Sequence, residues 1–325
     1  MGAVRLGRRQ RRTKALKELQ GRLPPGLWDS VADLNPAERP TMSGLLKAWR
    51  RLGRVASISA PDRNLLRAAF VDAFTRVLRE QGKNTFGPAD FGVSNVRELA
   101  DLFVTMLDRV GYTRASRAKL RRMRSHLVGE LLEVLVRNSR ELQPGLRLMA
   151  QAQLANFRRP GVGLVDARGK DVVTPASFGA VTTGIDLAVT GPRRSRRKFV
   201  DLVHVSVGEF PDGKTFLAIL VETEIKMPRA AQKAGKQIGR AQVRFHLRRG
   251  DSLSVDVAGH GPLEFKADQI LFLPGKVQRN LITVADTPNF TLRTTRAGGY
   301  DEAFWEVALD VRADALRRLV DMAVP

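Results

Sequence analysis

Residues 217–240 read LAILVETEIKMPRAAQKAGKQIGR, and they join an apolar run to a strongly basic one. The apolar run ends in alternating charge, at Glu222, Glu224 and Lys226. Alternate residues of a β-strand share one face, so these three side chains are expected to point the same way. Because the strand is apolar before this point, we expect its charged end to lie near a sheet interior or a cleft.

Two carboxylates held close together in a poorly hydrated place repel each other, and a divalent cation relieves that repulsion. Oxygen ligands suit Mg²⁺, with Mn²⁺ as the alternative, and Mg²⁺ readily shares a site with phosphate oxygens. A lysine beside such a metal can polarise a phosphate or help to position an attacking water. The segment from Glu222 to Lys226 therefore carries residue types that hydrolyse phosphodiester bonds.

A metal site of this kind needs a further carboxylate from a neighbouring strand, and two aspartates are candidates. Asp186 lies in GIDLAVT and Asp201 lies in FVDLVHV, both within predicted strands. If the turn before the third strand centres near residue 211 or 212, Asp201 pairs with about Glu222. Asp186 would then lie one strand further away, so this geometry favours Asp201.

The chain after Pro144 is rich in β-branched and apolar residues separated by turn-like segments. This pattern predicts an antiparallel three-stranded meander, then a helix, three further strands and a closing helix. The predicted ranges, in that order, are 182–190, 199–207 and 216–226, then about 229–248, then 269–274, 281–285 and 290–295, and finally 301–323.

The first third of the chain is predicted to be helical. Residues 62–82 and 95–111 repeat apolar side chains at the spacing of an amphipathic helix, and each segment ends in glycine. A third helix is predicted at 113–140, and Glu130 lies at the edge of its apolar stripe. Apart from Glu130, these helices show no pattern typical of a catalytic site.

The predicted helix at 229–248 has one basic face, on which cations recur at three- and four-residue steps. No acid occurs between Lys226 and Asp251, so this charge is uncompensated in the sequence. A basic face beside a metal site would hold a phosphate backbone, from which most affinity for nucleic acid arises. A second contact is predicted in RRSRRK. The residues concerned are Arg229, Lys233, Lys236, Arg240, Arg244 and Arg248 on the helix, with Arg193 and Arg194 in the turn.

Composition supports a polyanionic partner. The chain has 325 residues, a net charge of +22 and a pI of about 11.3, which favours nucleic acid first and an anionic membrane surface second. The absence of cysteine excludes disulfides and thiolate zinc sites. The apolar runs of the chain are shorter than the ~18 residues that a membrane span needs. Its N-terminus does not resemble a secretory signal.

The order of these features resembles the PD-(D/E)XK nuclease superfamily, which shares an αβββαβ core. The carriers of the resemblance are a helix with an acid, a strand with an aspartate, the strand Glu224-Ile-Lys226, and a basic helix with glutamine. They lie between residues 115 and 275, about half of the chain. The resemblance implies an α+β fold, with a helical N-terminal region followed by a restriction-endonuclease-like core and a mixed central sheet.

The resemblance also implies roles for individual residues. Glu224 and an upstream aspartate would be metal ligands, and Lys226 the catalytic lysine. Neither aspartate follows a proline. The family pattern Gly-x-Asp before an apolar run favours Asp186, in GIDLAV, whereas the spacing to Glu224 favours Asp201, so both stay candidates. Glu222 with Glu224 forms an alternative pair of acids. Two further catalytic candidates are Glu130, on the first helix, and Gln237, in the basic helix.

We therefore predict a basic, proline-rich arm at 1–60, a helical region at 61–111, a nuclease-like core at 112–280 and C-terminal strands with a closing helix at 281–325. The predicted function is a Mg²⁺-dependent nuclease that acts on DNA. The alternatives are a ribonuclease with the same core and a nucleic-acid-binding protein without catalysis, in which the charged strand is structural.

The resemblance extends to biology as well. It is compatible with an antibacterial toxin, a restriction or defence enzyme, or a repair enzyme. Toxin domains of this superfamily often follow unrelated N-terminal delivery regions, which would give the helical third a role. Implied partners are an immunity protein, a delivery protein and a second copy of the chain. The implied site of action is cytoplasmic, after delivery into a target cell in the toxin case.

Overall fold

The computed structural model describes most of the chain and divides it into two compact units. The first unit comprises Met1–Leu135 with Val311–Pro325, and the second comprises Val136–Asp310. These boundaries differ from those predicted at 111/112 and 280/281. The described residues are 17–19, 21, 40–53, 58–82, 86–191, 194–198, 200–227, 251–274, 278–285, 290–297 and 300–324.

The class of the fold is α+β, as predicted, with helices in the N-terminal region and a large mixed sheet after them. Short 3₁₀ turns at Pro88–Phe91 and Tyr112–Arg114 lie between helices. Within the described ranges, no helix combines the length and the apolar character that crossing a bilayer requires. The helices before the sheet are α1 (Met42–Leu52), α2 (Ala60–Gly82), α3 (Val96–Arg109), α4 (Arg117–Arg122), α5 (Arg124–Asn138) and α6 (Leu142–Phe157), and α7 (Ala313–Asp321) follows it.

Side-chain caps fix where several helices begin. The hydroxyl of Thr41 accepts a hydrogen bond from the Gly44 amide, and the side chain of Asn95 accepts one from the Glu98 amide. The prediction of one continuous helix at 113–140 is wrong. Ser116 caps α4 by accepting from the Lys119 amide, α4 ends at its C-cap Met123, and α5 begins at Arg124, so two helices replace the single one.

An aromatic cluster fills the core of the first unit. The rings of Trp49 and Phe70 meet edge to face with centroids 4.6 Å apart, and those of Phe74 and Phe103 do so at 5.4 Å. The returning helix α7 buries Leu316 and three other apolar residues, as its amphipathic sequence requires. The Tyr112 hydroxyl donates to the Ala323 carbonyl over 2.7 Å, which ties the C-terminal segment to this unit.

The sheet of the second unit contains the predicted meander at its centre. Its path runs β12-β13-β11-β7-β6-β4-β8-β9, and β6 is antiparallel to both β4 and β7. On the other side of β7, β11 runs parallel to it, and β13 runs parallel to β11. The strands on this path are β4 (Thr182–Gly191), β6 (Leu202–Glu209), β7 (Thr215–Lys226), β8 (Ser252–Val257), β9 (Gly261–Lys266), β11 (Gln278–Ala285), β12 (Phe290–Ala297) and β13 (Tyr300–Asp310).

Shorter strands flank this path, and several elements of the second unit were not predicted. The predicted strand at 269–274 is confirmed as β10, which runs parallel to the first half of β7. Helix α6, the β8–β9 hairpin and the small strands β1 to β3 went unpredicted, and part of the predicted turn RRSRRK forms β5. The short strands are β1 (Leu164–Asp166), β2 (Asp171–Val172), β3 (Ser177–Phe178), β5 (Arg194–Lys198) and β10 (Ile270–Phe272).

The predicted closing helix at 301–323 is wrong over its first half. Residues 300–310 form β13, and only Ala313–Asp321 is helical. Val307 and Leu309 alternate with their neighbours and are both buried, as in a strand. Hydrogen bonds to β11 on one side and β12 on the other decide the conformation of this segment.

A β-bulge divides β7 into an apolar half and a charged half. The register of β6 with β7 runs to Val205↔Ile219 and resumes at His204↔Val221, so Leu220 is one residue extra. Leu220 and its neighbour Val221 both pack in the apolar cluster that includes helix α6. Beyond the bulge, Glu222, Glu224 and Lys226 therefore lie on the face of the sheet opposite helix α6.

The packing of α7 predicts a large effect of a single truncation. Leu316→Ala should destabilise the first unit by about 2–4 kcal/mol, because it removes a fully buried side chain and leaves a cavity. Arg317→Ala on the same helix is the matched control, since Arg317 is exposed. Urea unfolding followed by circular dichroism measures both. Equal midpoints for the two variants would contradict the assigned helix and its buried face.

Candidate active site

The bulge brings Asp201 together with Glu224 and Lys226. The last β6–β7 pair before this point is Leu202↔Thr223, so the next row places Asp201 opposite Glu224. Asp201 Oδ2 accepts the amide hydrogen of Ile225 over 2.8 Å. Lys226 Nζ lies 2.9 Å from Asp201 Oδ2 and 2.7 Å from Glu224 Oε2, so its ammonium bridges the two carboxylates.

The predicted pairing of Asp201 with about Glu222 is wrong. The partner of Glu222 across the ladder is Val203, because the hairpin centres on residue 212 and the extra residue Leu220 shifts the register by one more. Val203 belongs to the apolar cluster on the face opposite α6. The acids of β7 therefore share a face with that cluster.

The charged end of β7 is buried, as its sequence predicts. Glu222 is 3% exposed, and Glu224 and Asp201 are each 8% exposed. Burial of charge at this level costs several kcal/mol per ion unless partners compensate it. The ammonium of Lys226 provides one such partner, and Arg137 Nη2 donates to the backbone carbonyl of Asp201 over 2.9 Å.

Electrostatics at the cluster shift two protonation equilibria. Burial raises the pKa of Glu224 to about 7, and the charge of Asp201 adds to the rise, while Lys226 opposes it. Burial alone would lower the pKa of Lys226, but the charges of Asp201 and Glu224 outweigh it and raise that pKa above its ordinary value. The lysine is therefore charged, and Glu224 exchanges its proton near neutral pH.

The donor set fits a divalent cation that is shared with substrate. Among the described residues, no group of three or more His, Cys, Asp or Glu side chains is arranged to hold a metal. Asp201 and Glu224 supply two carboxylates whose mutual repulsion a cation would relieve. Mg²⁺ is commonly bound by one or two carboxylates together with waters and phosphate oxygens. The cluster is suited to such a shared site and not to an all-protein cage.

Asp186 lies one strand further from Glu224 than Asp201 does, as expected. It follows the pair Ile185↔Leu202, so the next row of the ladder would place it opposite Asp201. Its φ of 54° is left-handed, and the pairing of β4 with β8 is irregular between Ile185 and Ala188. A non-glycine residue rarely adopts this conformation, and such outliers cluster at functional sites. Asp186 therefore stays a second candidate ligand.

Glu130 lies in the first unit and has its own partners. Its Oε2 atom accepts from Arg109 Nε over 3.1 Å, and its other oxygen lies 3.8 Å from His126 Nε2. The guanidinium of Arg109 also approaches Glu133, at 3.7 Å. The structure thus gives Glu130 an ion pair within the helical unit, and its role at a metal site stays a prediction.

The predicted nucleic-acid contacts fall largely outside the described residues. Gln237 and the helix predicted at 229–248 fall within 228–250, and Arg193 also lies outside the described residues, so the structure tests none of these predictions. Arg194 is the first residue of β5. The residues of that helix outside the described ranges are Arg229, Lys233, Lys236, Arg240, Arg244 and Arg248.

A row of buried polar side chains on the opposite face of the sheet was not predicted. His204, Thr223 and Asn280 lie on β6, β7 and β11, each at most 1% exposed. Both nitrogens of His204, the hydroxyl of Thr223 and the amide oxygen of Asn280 have no hydrogen-bond partner in the described structure. Burial lowers the pKa of His204 to about 4, and the charge of Arg147 adds to this, so the imidazole is neutral at pH 7. The alternation of polar residues with the acids of β7 is the only sequence signal for this row.

Comparison with known proteins gives no relative. No protein-family model matches the chain, and neither a curated protein nor a solved structure matches it. What the cluster of Asp201, Glu224 and Lys226 can do is therefore inferred from its geometry and charge.

The raised pKa of Glu224 predicts a pH-dependent stability. Protonated Glu224 is favoured in the folded state, so the stability present below about pH 4.5 is lost as the pH rises towards 7. The loss should be on the order of 3 kcal/mol. Glu224→Gln cannot ionise and should lack it, so the difference in unfolding free energy between variant and wild type should grow from pH 5 to pH 8.

Asp212→Asn provides the control for this experiment. Its exposed carboxylate bonds to Lys214, which lowers the pKa of Asp212, so it does not titrate between pH 5 and pH 8. Urea unfolding at the two pH values gives the free energies. A difference between Glu224→Gln and wild type that does not change with pH would contradict the buried, coupled position of Glu224.

The bridging position of Lys226 predicts a strong effect of removing its charge. Lys226→Met leaves Asp201 and Glu224 without their shared ammonium and should cost about 3–5 kcal/mol at pH 8. Adding Asp201→Asn to Lys226→Met should recover part of this loss, because one of the repelling charges is gone. Lys214→Met, which breaks an exposed pair with Asp212, should leave the urea midpoint unchanged. If the stability losses of the single variants Lys226→Met and Asp201→Asn simply added up in the double variant, the bridge would be excluded.

Proposed function

We propose that this chain is a divalent-cation-dependent nuclease that hydrolyses phosphodiester bonds, with DNA as its first substrate class. The single observation that carries the proposal is the buried cluster in which Lys226 bridges Asp201 and Glu224. A buried pair of acids with a perturbed pKa beside a lysine is a constellation typical of functional sites.

In this proposal Asp201 and Glu224 hold the cation, Mg²⁺ or Mn²⁺. When bound, the ion supplies Lewis-acid stabilisation of the phosphate and a more acidic water. Asp201 is kept in place by the Ile225 amide, so one ligand is oriented before substrate arrives. With the two carboxylates engaged by the cation, the ammonium of Lys226 would be free to face a phosphate oxygen. Glu224, whose pKa is about 7, releases its proton near the pH at which the cation must bind.

The net positive charge supports a nucleic-acid substrate. The chain carries a net charge of +22, and 55 of its residues are Lys or Arg. Such an excess attracts a polyanion over long distances and supplies affinity that is independent of sequence. An antibacterial toxin, a defence enzyme or a repair enzyme are the roles that fit this activity, and in the toxin case an immunity or delivery protein would be its partner.

A cleavage assay tests the proposal. Supercoiled plasmid should be nicked in Mg²⁺ and left intact in EDTA. Asp201→Asn, Glu224→Gln and Lys226→Met should each lower the rate about a hundredfold or more, because each removes a group that acts on the charged transition state. Asp186→Asn is included because Asp186 is the alternative ligand. Asp212→Asn, on the exposed hairpin, is the matched control and should cut like the wild type.

Parallel substrates separate the alternatives. Single-stranded DNA, duplex DNA and RNA are incubated under the same conditions, and binding is measured in EDTA. Cleavage of RNA alone would identify a ribonuclease. Binding without cleavage of any substrate, or wild-type cutting by Glu224→Gln, would overturn the nuclease proposal and leave a nucleic-acid-binding protein. Wild-type cutting by Asp201→Asn together with loss in Asp186→Asn would transfer the ligand role to Asp186.

A further inference from the structure

The outer side of helix α4 in the first unit carries several exposed cations. Leu120 is fully buried and anchors the helix, while Lys119, Arg121 and Arg122 are exposed. At 100° per residue, these three positions surround the side of the helix opposite Leu120. The sequence contains no acidic residue between Asp108 and Glu130, so no acid of this segment compensates the charge.

Helix α1 adds to the same surface. Its last turn is basic, with Arg50 and Arg51, and it packs against the turn that leads into α4. Arg50 Nη2 donates to the carbonyl of Ala115 over 2.6 Å, which fixes this end of α1 next to the start of α4. Arg51 is exposed beside it. We call Arg51, Lys119, Arg121 and Arg122 the α4 basic surface.

Some other cations of the first unit are paired with acids. Arg67 pairs with Asp101 over 2.5 Å, and Arg97 pairs with Asp72. In the described part of the chain, neither Lys119 nor Arg122 forms such an ion pair. The imbalance extends to the whole unit, which holds 29 Lys and Arg against 15 Asp and Glu, a net charge of +14 out of +22.

The surroundings of this surface favour nucleic acid over a lipid bilayer. Proteins that lie on membranes combine cations with exposed apolar side chains that enter the acyl region. Among the described residues, the large apolar side chains with high exposure are Leu148 and Val173, and both belong to the second unit. A surface of cations alone suits a phosphate backbone, which needs charge and hydrogen-bond donors and no apolar wedge.

We propose that the α4 basic surface binds the phosphate backbone of nucleic acid. The choice of nucleic acid as partner rests on the proposed function, but binding at this surface needs neither the cation nor the acids of β7. The helical unit is then a nucleic-acid-binding unit, which adds sequence-independent affinity to a chain whose acidic cluster lies in the second unit.

The salt dependence of binding tests this proposal. Each phosphate contact contributes about −0.9 to the slope of log K against log salt concentration for duplex DNA. The triple variant Lys119→Gln/Arg121→Gln/Arg122→Gln should make the slope shallower by roughly 2–3. Its affinity near about 0.1 M salt should fall at least about tenfold. Fluorescence anisotropy of a labelled duplex in EDTA gives both values without cleavage.

The control removes the same charge from other exposed positions. Arg79→Gln/Arg97→Gln/Lys214→Gln changes three cations, two of which have an acidic partner, and should keep the wild-type slope. An unchanged slope in the α4 triple variant, or an equal change in both triple variants, would overturn the proposal. So would loss of binding to phosphatidylserine vesicles with unaltered DNA binding, which would assign the surface to membranes. Glu224→Gln separates the two proposals. If this variant no longer cuts DNA but still binds it, DNA binding at the α4 basic surface is measured independently of catalysis.

Discussion

One extra residue in β7, Leu220, decides which side chains meet on the sheet. Without it, the ladder with β6 would place Thr223 opposite Asp201, and the acids of β7 would face helix α6. With it, Glu224 lies opposite Asp201 and Lys226 reaches both carboxylates. The apolar half of the strand anchors the sheet, and the bulge turns the charged half to a different face. The position of the whole cluster depends on this local change of register.

The cluster is held together by an incomplete balance of charge. One ammonium serves two buried carboxylates, and the pKa of Glu224 rises to about 7 because that compensation is insufficient. In the proposed function, the same imbalance that weakens the fold at higher pH would favour binding of a metal cation. Stability and cation binding would then be opposed at these residues, as is common where a protein is arranged for function.

Part of this structure could be predicted from the sequence. Alternating charge at the end of an apolar strand predicts a buried cluster, but the sequence leaves Asp186 and Asp201 both open as the aspartate that joins it. The bulge could not be foreseen, because AILV offers apolar side chains to either face and gives no sign of where a residue is extra. The segment AFWEVALD was misread as helical because its apolar residues suit both periods, and pairing with β11 and β12 settles it.

The way the chain returns to the helical unit has a consequence for biogenesis. Helix α7 fills the core of that unit, yet it follows 175 residues that build the other one. The second unit is therefore an insertion within the first. The ribosome must synthesise all of it before the first unit can close around Leu316. Until then, the apolar surface that receives α7 is exposed. Synthesis thus completes the acidic cluster before the helical unit has its last core element.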